Sequence, residues 1–278
     1  MINAEALIQE WHRIPGRTVT AFAHWKNKTG ASSYEVLAQQ AQGMSPGACI
    51  LDLACGNGYL LELLTQSGFG HLIGVDFSAA EIAAAQARLG PAVDLRQESA
   101  QKLSLADQSI DMAVCHLALM LMRPLEPVLA EVARVLKAGG SFCMLNQRYL
   151  KDPAYALFQE ERDKVCRAWG FDRLNVGDPR VFSAAAFGAL LKAQPQFEEG
   201  TRVDDFAIET HGDALQLWES MRLMYDVLRL PEAARVQLKK QLLPRWQTLA
   251  EKQGGLTCTF GMRLTRVSKK KANRHGQT

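Results

Sequence analysis

The feature of this sequence that most constrains its fold is a regular alternation of short apolar runs and helical patterns between residues 48 and 146. Helical patterns follow the first, second and fourth runs, and the last helix is predicted to end at Gly139-Gly140. Alternation at this spacing predicts parallel strands with right-handed crossovers, and therefore a doubly wound α/β sheet that binds ligands beyond the carboxyl ends of its strands. The predicted strands cover 48–53, 71–76, 92–96, 110–115 and 141–145, and the predicted helices cover 59–66, 78–89 and 125–136.

The remaining chain is predicted to be mostly helical. Two later segments, 197–208 and 256–267, alternate in polarity as antiparallel strands do, which brings the predicted sheet to seven strands, mostly parallel. The sequence is thus expected to divide into an N-terminal helical segment (1–46), a core (47–210 and 255–267), a helical insertion with Asp213 as its N-cap (211–254) and a basic, disordered tail (268–278).

The composition excludes several classes of protein. Of the 278 residues 47% are hydrophobic and 22% charged, which excludes intrinsic disorder and fibrous repeats. The net charge of +3 is too small to argue for a nucleic-acid partner. The longest nearly apolar run, 110–122, is shorter than the ~20 residues of a membrane helix. With no signal-peptide pattern and no C-x-x-C pair among six cysteines, we expect a cytoplasmic protein with reduced thiols and without a metal site.

A glycine-rich turn follows the first predicted strand. In the segment 52–58, DLACGNG, an aspartate at the strand end precedes two glycines that permit a tight turn. The third glycine of a dinucleotide fingerprint is absent, because position 61 is Leu61. The Asp52 carboxylate would also repel a diphosphate and attract a cation, so the turn favours a ligand that carries an ammonium or sulfonium group.

This segment resembles the first motif of the class I S-adenosylmethionine-dependent methyltransferases, and further motifs of that family follow in order. Residues 74–78, GVDFS, resemble the acidic second motif, residues 100–111 resemble the third and fourth, and residues 125–140 resemble the helix and glycine turn that follow. The resemblance covers roughly residues 48–146 and is greatest to the type-11 group of small-molecule methyltransferases. It implies a Rossmann-like fold with a helical cap, and S-adenosyl-L-methionine as the cofactor.

The resemblance also implies which residues bind the cofactor. Asp76 would accept hydrogen bonds from both ribose hydroxyls, because an ionised carboxylate offers only acceptors. Phe77 and Ile82 would flank the adenine. Ser99 stands where many relatives carry an aspartate for the adenine amine, and Gln101 could make that contact instead. The implied cofactor-binding residues are Asp52, Ala54, Cys55, Gly56, Asn57, Gly58, Asp76, Phe77, Ile82, Ser99, Ala100, Gln101 and His116.

His116 directly follows the fourth predicted strand, at the binding edge of the sheet. Three roles are open to it: a general base for an acceptor hydroxyl, a backbone contact to the methionine part of the cofactor, or plain structure. This strand end lacks the Asn/Asp-Pro-Pro-aromatic tetrad of enzymes that methylate nucleobase or glutamine nitrogens, which argues against those acceptors.

Aromatic and sulfur-containing side chains suggest where an acceptor would bind. In relatives the N-terminal segment closes as a lid, here 1–46 with Trp25, and a helical insertion, here 211–254, covers the acceptor. The insertion carries a bulky apolar stripe of Trp218, Met221 and Tyr225, which would suit a planar substrate and is equally typical of a packed core.

These features predict an enzyme that methylates an O or N atom of a small molecule by direct displacement, with S-adenosyl-L-homocysteine as the product and secondary metabolism as one setting. Few chemical side chains are then needed, because orientation and exclusion of water lower the barrier. Two alternatives are a methyltransferase that acts on RNA or a carrier protein, and a non-catalytic cofactor-binding module. No aromatic-interleaved basic patch supports nucleic acid as a partner. A monomer or a homodimer is expected.

Overall fold

The computed structural model describes residues 4–172 and 174–271. A seven-stranded sheet has the strand order β3-β2-β1-β4-β5-β7-β6, and the β1–β2, β1–β4, β2–β3 and β4–β5 pairs are parallel. The strands are β1 (Cys49–Leu53), β2 (His71–Asp76), β3 (Asp94–Gln97), β4 (Ile110–His116), β5 (Leu136–Arg148), β6 (Arg202–Gly212) and β7 (Leu256–Ser268). The predicted doubly wound α/β sheet is therefore confirmed.

Eleven α-helices are present among the described residues. Ser78 caps α5 by accepting from the Glu81 backbone N–H at 3.3 Å, and Asp213 caps α9 in a full capping box with Gln216. The helices are α1 (Ala4–Trp11), α2 (Arg17–Phe22), α3 (Ser33–Ala38), α4 (Tyr59–Gln66), α5 (Ala79–Leu89), α6 (Glu126–Val135), α7 (Pro153–Ala168), α8 (Ala184–Lys192), α9 (Ala214–Met221), α10 (Tyr225–Leu228) and α11 (Glu232–Gln253).

Two sequence predictions of element boundaries were wrong. Gly139-Gly140 does not end α6: the helix stops at Val135, β5 begins at the next residue, and both glycines lie inside the strand. A Cβ on Gly140 would lie 3.0 Å from the Asp111 carbonyl oxygen, so the glycine permits a close strand approach. The predicted strand 197–208 begins later, at Arg202, and continues to Gly212.

The chain forms two compact units, which are divided differently from the predicted segments. The first comprises 1–33, 148–176 and 206–262, and the second comprises 34–147, 177–205 and 263–278. Residues 148–176 belong to the first unit because α7 packs along α11. There the Trp246 indole N–H donates to the Ala154 carbonyl oxygen at 2.9 Å. The predicted tail falls largely on 272–278, outside the described residues.

The second unit contains the parallel strands and a large hydrophobic core. Apolar side chains of β1, β4 and β5 pack against α6 and α8 on one face of the sheet, and none of the strand interiors is interrupted by proline. Gly74 in β2 has no side chain, which leaves room for Leu61 of α4: an added Cβ would lie 2.7 Å from the Leu61 side chain. This packing sets α4 and the turn before it against the sheet.

Candidate functional site

The turn between β1 and α4 has an unusual backbone conformation. Ala54, Gly56 and Gly58 have φ values of 63°, 52° and 78°, in the left-handed region that disfavours most side chains. The Gly58 N–H donates to the Cys55 carbonyl oxygen at 3.0 Å, which closes the turn directly before α4. Glycine at these positions allows the turn and lets a ligand approach its backbone closely.

Replacing Gly58 with alanine should destabilise the second unit. An added Cβ would lie 2.8 Å from the Leu89 side chain and 3.1 Å from the Ala85 Cβ, and φ is +78°. We expect the free energy of unfolding in urea to fall by about 1–3 kcal/mol. Gly68→Ala is the matched control, since Gly68 has φ +90° with nothing within 4 Å of an added Cβ. An equal decrease in the free energy of unfolding of both variants would show that the contacts around Gly58 do not contribute to the loss of stability.

Asp76 joins the glycine turn to the start of α5. It ends β2, is buried, and accepts from the Gly56 N–H through one carboxylate oxygen and from the Ser78 N–H through the other, both at 2.9 Å. Because a carboxylate has about four lone-pair directions, these two bonds leave acceptor capacity for further donors. The carboxylate is held rigidly at the carboxyl end of the strand.

Asp52 is a buried carboxylate without a partner. It lies on β1, where its register partners are Gly74 on β2 and Val114 on β4, and it is 1% exposed. Neither of its side-chain oxygens has a hydrogen-bond partner among residues 4–172 and 174–271. Burial, and secondly the charge of Asp76, raise the pKa of Asp52 to about 8. An unpaired buried carboxylate is costly, so its chemistry fits a site for a ligand cation.

Arg88 on α5 holds the outer side of the turn, and the sequence prediction missed it. Its guanidinium donates to the Asn57 carbonyl oxygen at 3.0 Å, pairs with Glu62 at 2.7 Å and lies over the Tyr59 ring. The Asn57 side-chain oxygen is buried and lacks a partner within the described part of the chain. Charge patterning gave no signal for Arg88, because its partners lie 26 and 31 residues away.

The residues predicted to surround adenine lie after β2 and β3. Phe77 is exposed and directly follows Asp76, and Ile82 is half-buried on α5. Ser99 and Gln101 are exposed, and the Ser99 hydroxyl accepts from the Gln101 N–H at 3.3 Å. Ala100 between them is half-buried. Glu98, one residue early for the adenine contact, accepts from the Ser104 N–H at 2.9 Å.

His116 ends β4 on the same face of the sheet as Asp52. The register pairs Asp52 with Val114, and residues two apart on a strand point the same way. The imidazole is buried and stacks on the Tyr34 ring, with centroids 3.6 Å apart and planes 19° apart. Tyr34 also meets Tyr59 edge-on at 5.1 Å. Tyr34 was predicted only to lie in the N-terminal helical segment, because no local pattern indicates a contact 82 residues away.

We expect His116 to remain neutral across the working pH range. Burial lowers its pKa to about 3, so the ring is uncharged from pH 5 to 9 and is a weak proton acceptor. The His116 ring signals in a proton–carbon NMR titration should therefore not shift between pH 5 and 9. A midpoint near 6.5 would restore the general-base interpretation; a flat titration leaves the backbone contact to the cofactor and the plain structural role.

The residues predicted to bind the acceptor lie in the first unit. Trp25 is fully buried against Phe260, with centroids 5.0 Å apart, and its indole N–H has no partner in the described residues. Trp218 and Met221 are buried on α9. Tyr225 stacks on Trp11 at 4.6 Å. All four pack within this unit, and their role in acceptor binding remains a prediction.

Three further findings bear on the class of site. Across residues 4–172 and 174–271, no group of three or more His, Cys, Asp or Glu side chains is arranged to hold a metal ion. No helix in those ranges has the length and hydropathy of a membrane span. All six cysteines are free, and five of them are buried.

Comparison with known proteins identifies the domain. Residues 51–144 match the type-11 family model described as a methyltransferase domain. The chain is 31% identical over 182 residues to a probable S-adenosylmethionine-dependent methyltransferase of Mycolicibacterium smegmatis, covering 66% of this chain and 63% of that protein. It is 34% identical over 116 residues to a demethylmenaquinone methyltransferase of Desulfitobacterium hafniense, covering 39% and 46%.

A solved structure has the same fold. The YcgJ protein of Bacillus subtilis superposes with a TM-score of 0.58 at 18% identity, over 86% of this chain and 99% of that chain. The matches to the two relatives span less than two thirds of either relative's length. The family model covers the strands that carry Asp52, Asp76 and His116. The resemblance found in the sequence is therefore confirmed over residues 51–144, which match the family model of a methyltransferase domain.

Proposed function

We propose that this protein binds S-adenosyl-L-methionine and transfers its methyl group to an O or N atom of a small molecule. The observation that carries the proposal is the Asp52 carboxylate, buried without a partner in the described residues and beside a second carboxylate, Asp76, at the next strand end. Two acidic groups and a bare glycine turn suit a cationic nucleoside and disfavour a pyrophosphate.

The residues present fit this cofactor. Asp52 would pair with the ammonium group of the methionine part, which would supply the missing partner of a buried carboxylate. Asp76, oriented by its bonds from the Gly56 and Ser78 N–H groups, would accept from the ribose hydroxyls. Phe77 and Ile82 would enclose the adenine. When bound, the cofactor supplies an activated methyl group on a sulfonium.

The protein would contribute to methyl transfer by orienting the acceptor and by excluding water from the site. Held by Asp52 and Asp76, the cofactor would supply its methyl group to an acceptor lone pair and would leave as S-adenosyl-L-homocysteine. Because positive charge on sulfur disappears, a site that excludes water favours the step. Alignment of the acceptor would supply on the order of 7 kcal/mol in favourable cases, and the proton that a hydroxyl or amine acceptor loses would pass to water.

A small-molecule acceptor is supported by the relatives and by the composition. The named activity of the Desulfitobacterium relative concerns a quinone, and the net charge of +3 gives no electrostatic reason to expect RNA. The apolar and polarisable side chains of Trp218 and Met221 are of the kind that suits a planar acceptor, and their contact with one remains a prediction.

The proposal is tested with purified protein and S-adenosyl-L-methionine labelled at the methyl group. We expect label to pass to members of a panel of phenols, hydroquinones and amines, and S-adenosyl-L-homocysteine to accumulate in equal amount. Bulk RNA and an acyl carrier protein form the two comparison arms. Transfer of the labelled methyl group to only one of these two macromolecules would overturn the small-molecule proposal in favour of that macromolecule as the acceptor. Tight cofactor binding without transfer to any arm would support the non-catalytic alternative.

A further inference from the structure

The Arg88 guanidinium contacts three groups at the turn between β1 and α4. Its Nε donates to the Asn57 carbonyl oxygen at 3.0 Å, a terminal nitrogen lies 2.7 Å from the Glu62 carboxylate, and its central carbon lies 5.5 Å from the centroid of the Tyr59 ring. All three partners belong to this turn or to the first turn of α4. One side chain of α5 therefore contacts a backbone oxygen, a charge and an aromatic ring of the segment that carries the glycine turn.

The bond to Asn57 completes the pairing of one peptide unit. Gly58 caps α4, and its carbonyl oxygen accepts the first helical bond, from the Glu62 N–H at 2.9 Å. The Asn57 carbonyl precedes that bond, so the helix offers it no donor, and Arg88 supplies one. The N–H of the same peptide unit, on Gly58, donates to the Cys55 carbonyl oxygen at 3.0 Å. Both polar groups of this peptide are thereby fixed in direction.

The helix α5 approaches the turn closely because position 58 is glycine. An added Cβ on Gly58 would lie 3.1 Å from the Ala85 Cβ and 2.8 Å from the Leu89 side chain. Ala85, Arg88 and Leu89 are three or four residues apart and share one face of the helix. The face of α5 that packs on Gly58 thus also places the guanidinium on Asn57.

An ordinary surface ion pair would explain only part of this arrangement. An exposed pair adds little to stability because solvent and salt screen it, and pairing with Glu62 needs only a terminal nitrogen. The Arg88 Nε–H is instead directed at a backbone oxygen 31 residues away. A second side chain, Asp76, accepts from the Gly56 N–H at 2.9 Å. The turn is therefore held by side chains from two other elements, α5 and β2.

We propose that Arg88 is a positioning residue, which holds the turn between β1 and α4 in the conformation that binds S-adenosyl-L-methionine and acts on the cofactor only through that turn. This inference rests on the proposed function. A turn that is already fixed loses less conformational freedom when the ligand binds, so the affinity is higher. Without the guanidinium the Asn57 carbonyl loses its donor, and the peptide between Asn57 and Gly58 becomes freer to rotate.

The test measures ligand affinity and local motion in the same variants. Dissociation constants for S-adenosyl-L-homocysteine are measured by calorimetry for the wild type, Arg88→Met and Arg88→Lys, and amide hydrogen exchange is followed by NMR. We expect Arg88→Met to bind about tenfold more weakly and to exchange the Gly58 N–H about tenfold faster, with exchange in β5 unchanged. Arg88→Lys keeps the charge without the fork of donors, so it should bind about threefold more weakly than the wild type.

The matched control is Arg263→Met. Arg263 pairs with Asp205 at 2.8 Å, and its side chain is 14% exposed against 29% for Arg88, so its removal disturbs packing at least as much. It lies on β7, which β4 and β5 separate from β1. We expect wild-type affinity and wild-type exchange at Gly58 in this variant. An equal loss of affinity in Arg263→Met and Arg88→Met would assign the effect to general destabilisation and overturn the positioning role.

The remaining outcomes separate this inference from the proposed function. Failure of the wild type to bind S-adenosyl-L-homocysteine overturns the proposed function, and the positioning role with it. If the wild type binds and Arg88→Met binds within about twofold of it, only the positioning role is overturned. Weaker binding with unchanged exchange at Gly58 also overturns it, because Arg88 would then not act through the turn. If Arg88→Met does not fold, as judged by thermal unfolding, the same two measurements on Arg88→Lys decide.

Discussion

An Asp52→Asn variant of this protein should be more stable than the wild type at alkaline pH and should lose its affinity for S-adenosyl-L-homocysteine. In the ligand-free protein the carboxylate is buried, unpartnered within the described residues and close to Asp76, so ionisation costs free energy. Asparagine removes that charge and keeps the shape. It also removes the group that would pair with the ligand's ammonium.

The pH dependence follows from the direction of the shift. The folded pKa of Asp52 is about 8, above its ordinary value of 3.8. Its contribution to stability is therefore fully present below about pH 4 and is lost as the pH rises through 8. At pH 9 we expect the free energy of unfolding of Asp52→Asn to be at least ~1 kcal/mol larger than that of the wild type. At pH 4 the two proteins should be equal.

Ligand affinity should change with pH in the opposite sense. A ligand cation binds the ionised carboxylate, so the wild-type protein must release a proton on binding below pH 8. We expect the affinity of the wild type for S-adenosyl-L-homocysteine to rise up to about tenfold per pH unit between pH 6 and 7.5, and the weak residual binding of Asp52→Asn to be independent of pH. Calorimetry in buffers of different ionisation enthalpy measures the released proton directly. Asp94→Asn, an exposed aspartate paired with Arg96, is the matched control.

The second large effect is expected for Asp76→Ala. This substitution removes a carboxylate that bonds the Gly56 and Ser78 N–H groups and that would hold the ribose. Loss of the two hydrogen bonds that the ribose hydroxyls would donate to this carboxylate should raise the dissociation constant for S-adenosyl-L-homocysteine about 100-fold or more.

Adenosine alone distinguishes the two aspartates. It carries the ribose without the methionine part, so Asp76→Ala should abolish its competition with the full ligand, whereas Asp52→Asn should leave adenosine binding unchanged. Equal loss of adenosine binding in both variants would contradict the separate roles. Asp94→Asn again serves as the control, because its side chain lies at the other end of the parallel strands.

Much of the fold could be predicted from the sequence, because buried parallel strands leave continuous apolar runs. The strand 71–76 and its terminal Asp76 were placed correctly, as was the turn after Asp52. The early start of β5 was missed because Gly139-Gly140 is typical of a helix end. In the structure a register irregularity between β4 and β5 uses these glycines instead.

The electrostatics of the site depend on contacts that no local sequence pattern predicts. Asp52 was expected at a strand end, but its lack of a partner in the described residues could not be predicted: the Gly56 N–H donates to Asp76, and the Cys55 and Gly58 N–H groups donate to backbone carbonyls. Tyr34 and Arg88 are brought to the site only by packing between elements distant in sequence. Spacing and periodicity therefore locate the edge of the sheet, and three-dimensional packing determines the charge state there.

A crystal structure of the protein with S-adenosyl-L-homocysteine tests the central claim most directly. The account predicts one bound ligand after β1 and β2, with its ammonium group on the Asp52 carboxylate and its ribose hydroxyls on Asp76. A ligand bound elsewhere, or a nucleotide diphosphate lying along the glycine turn of the same crystals, would contradict it.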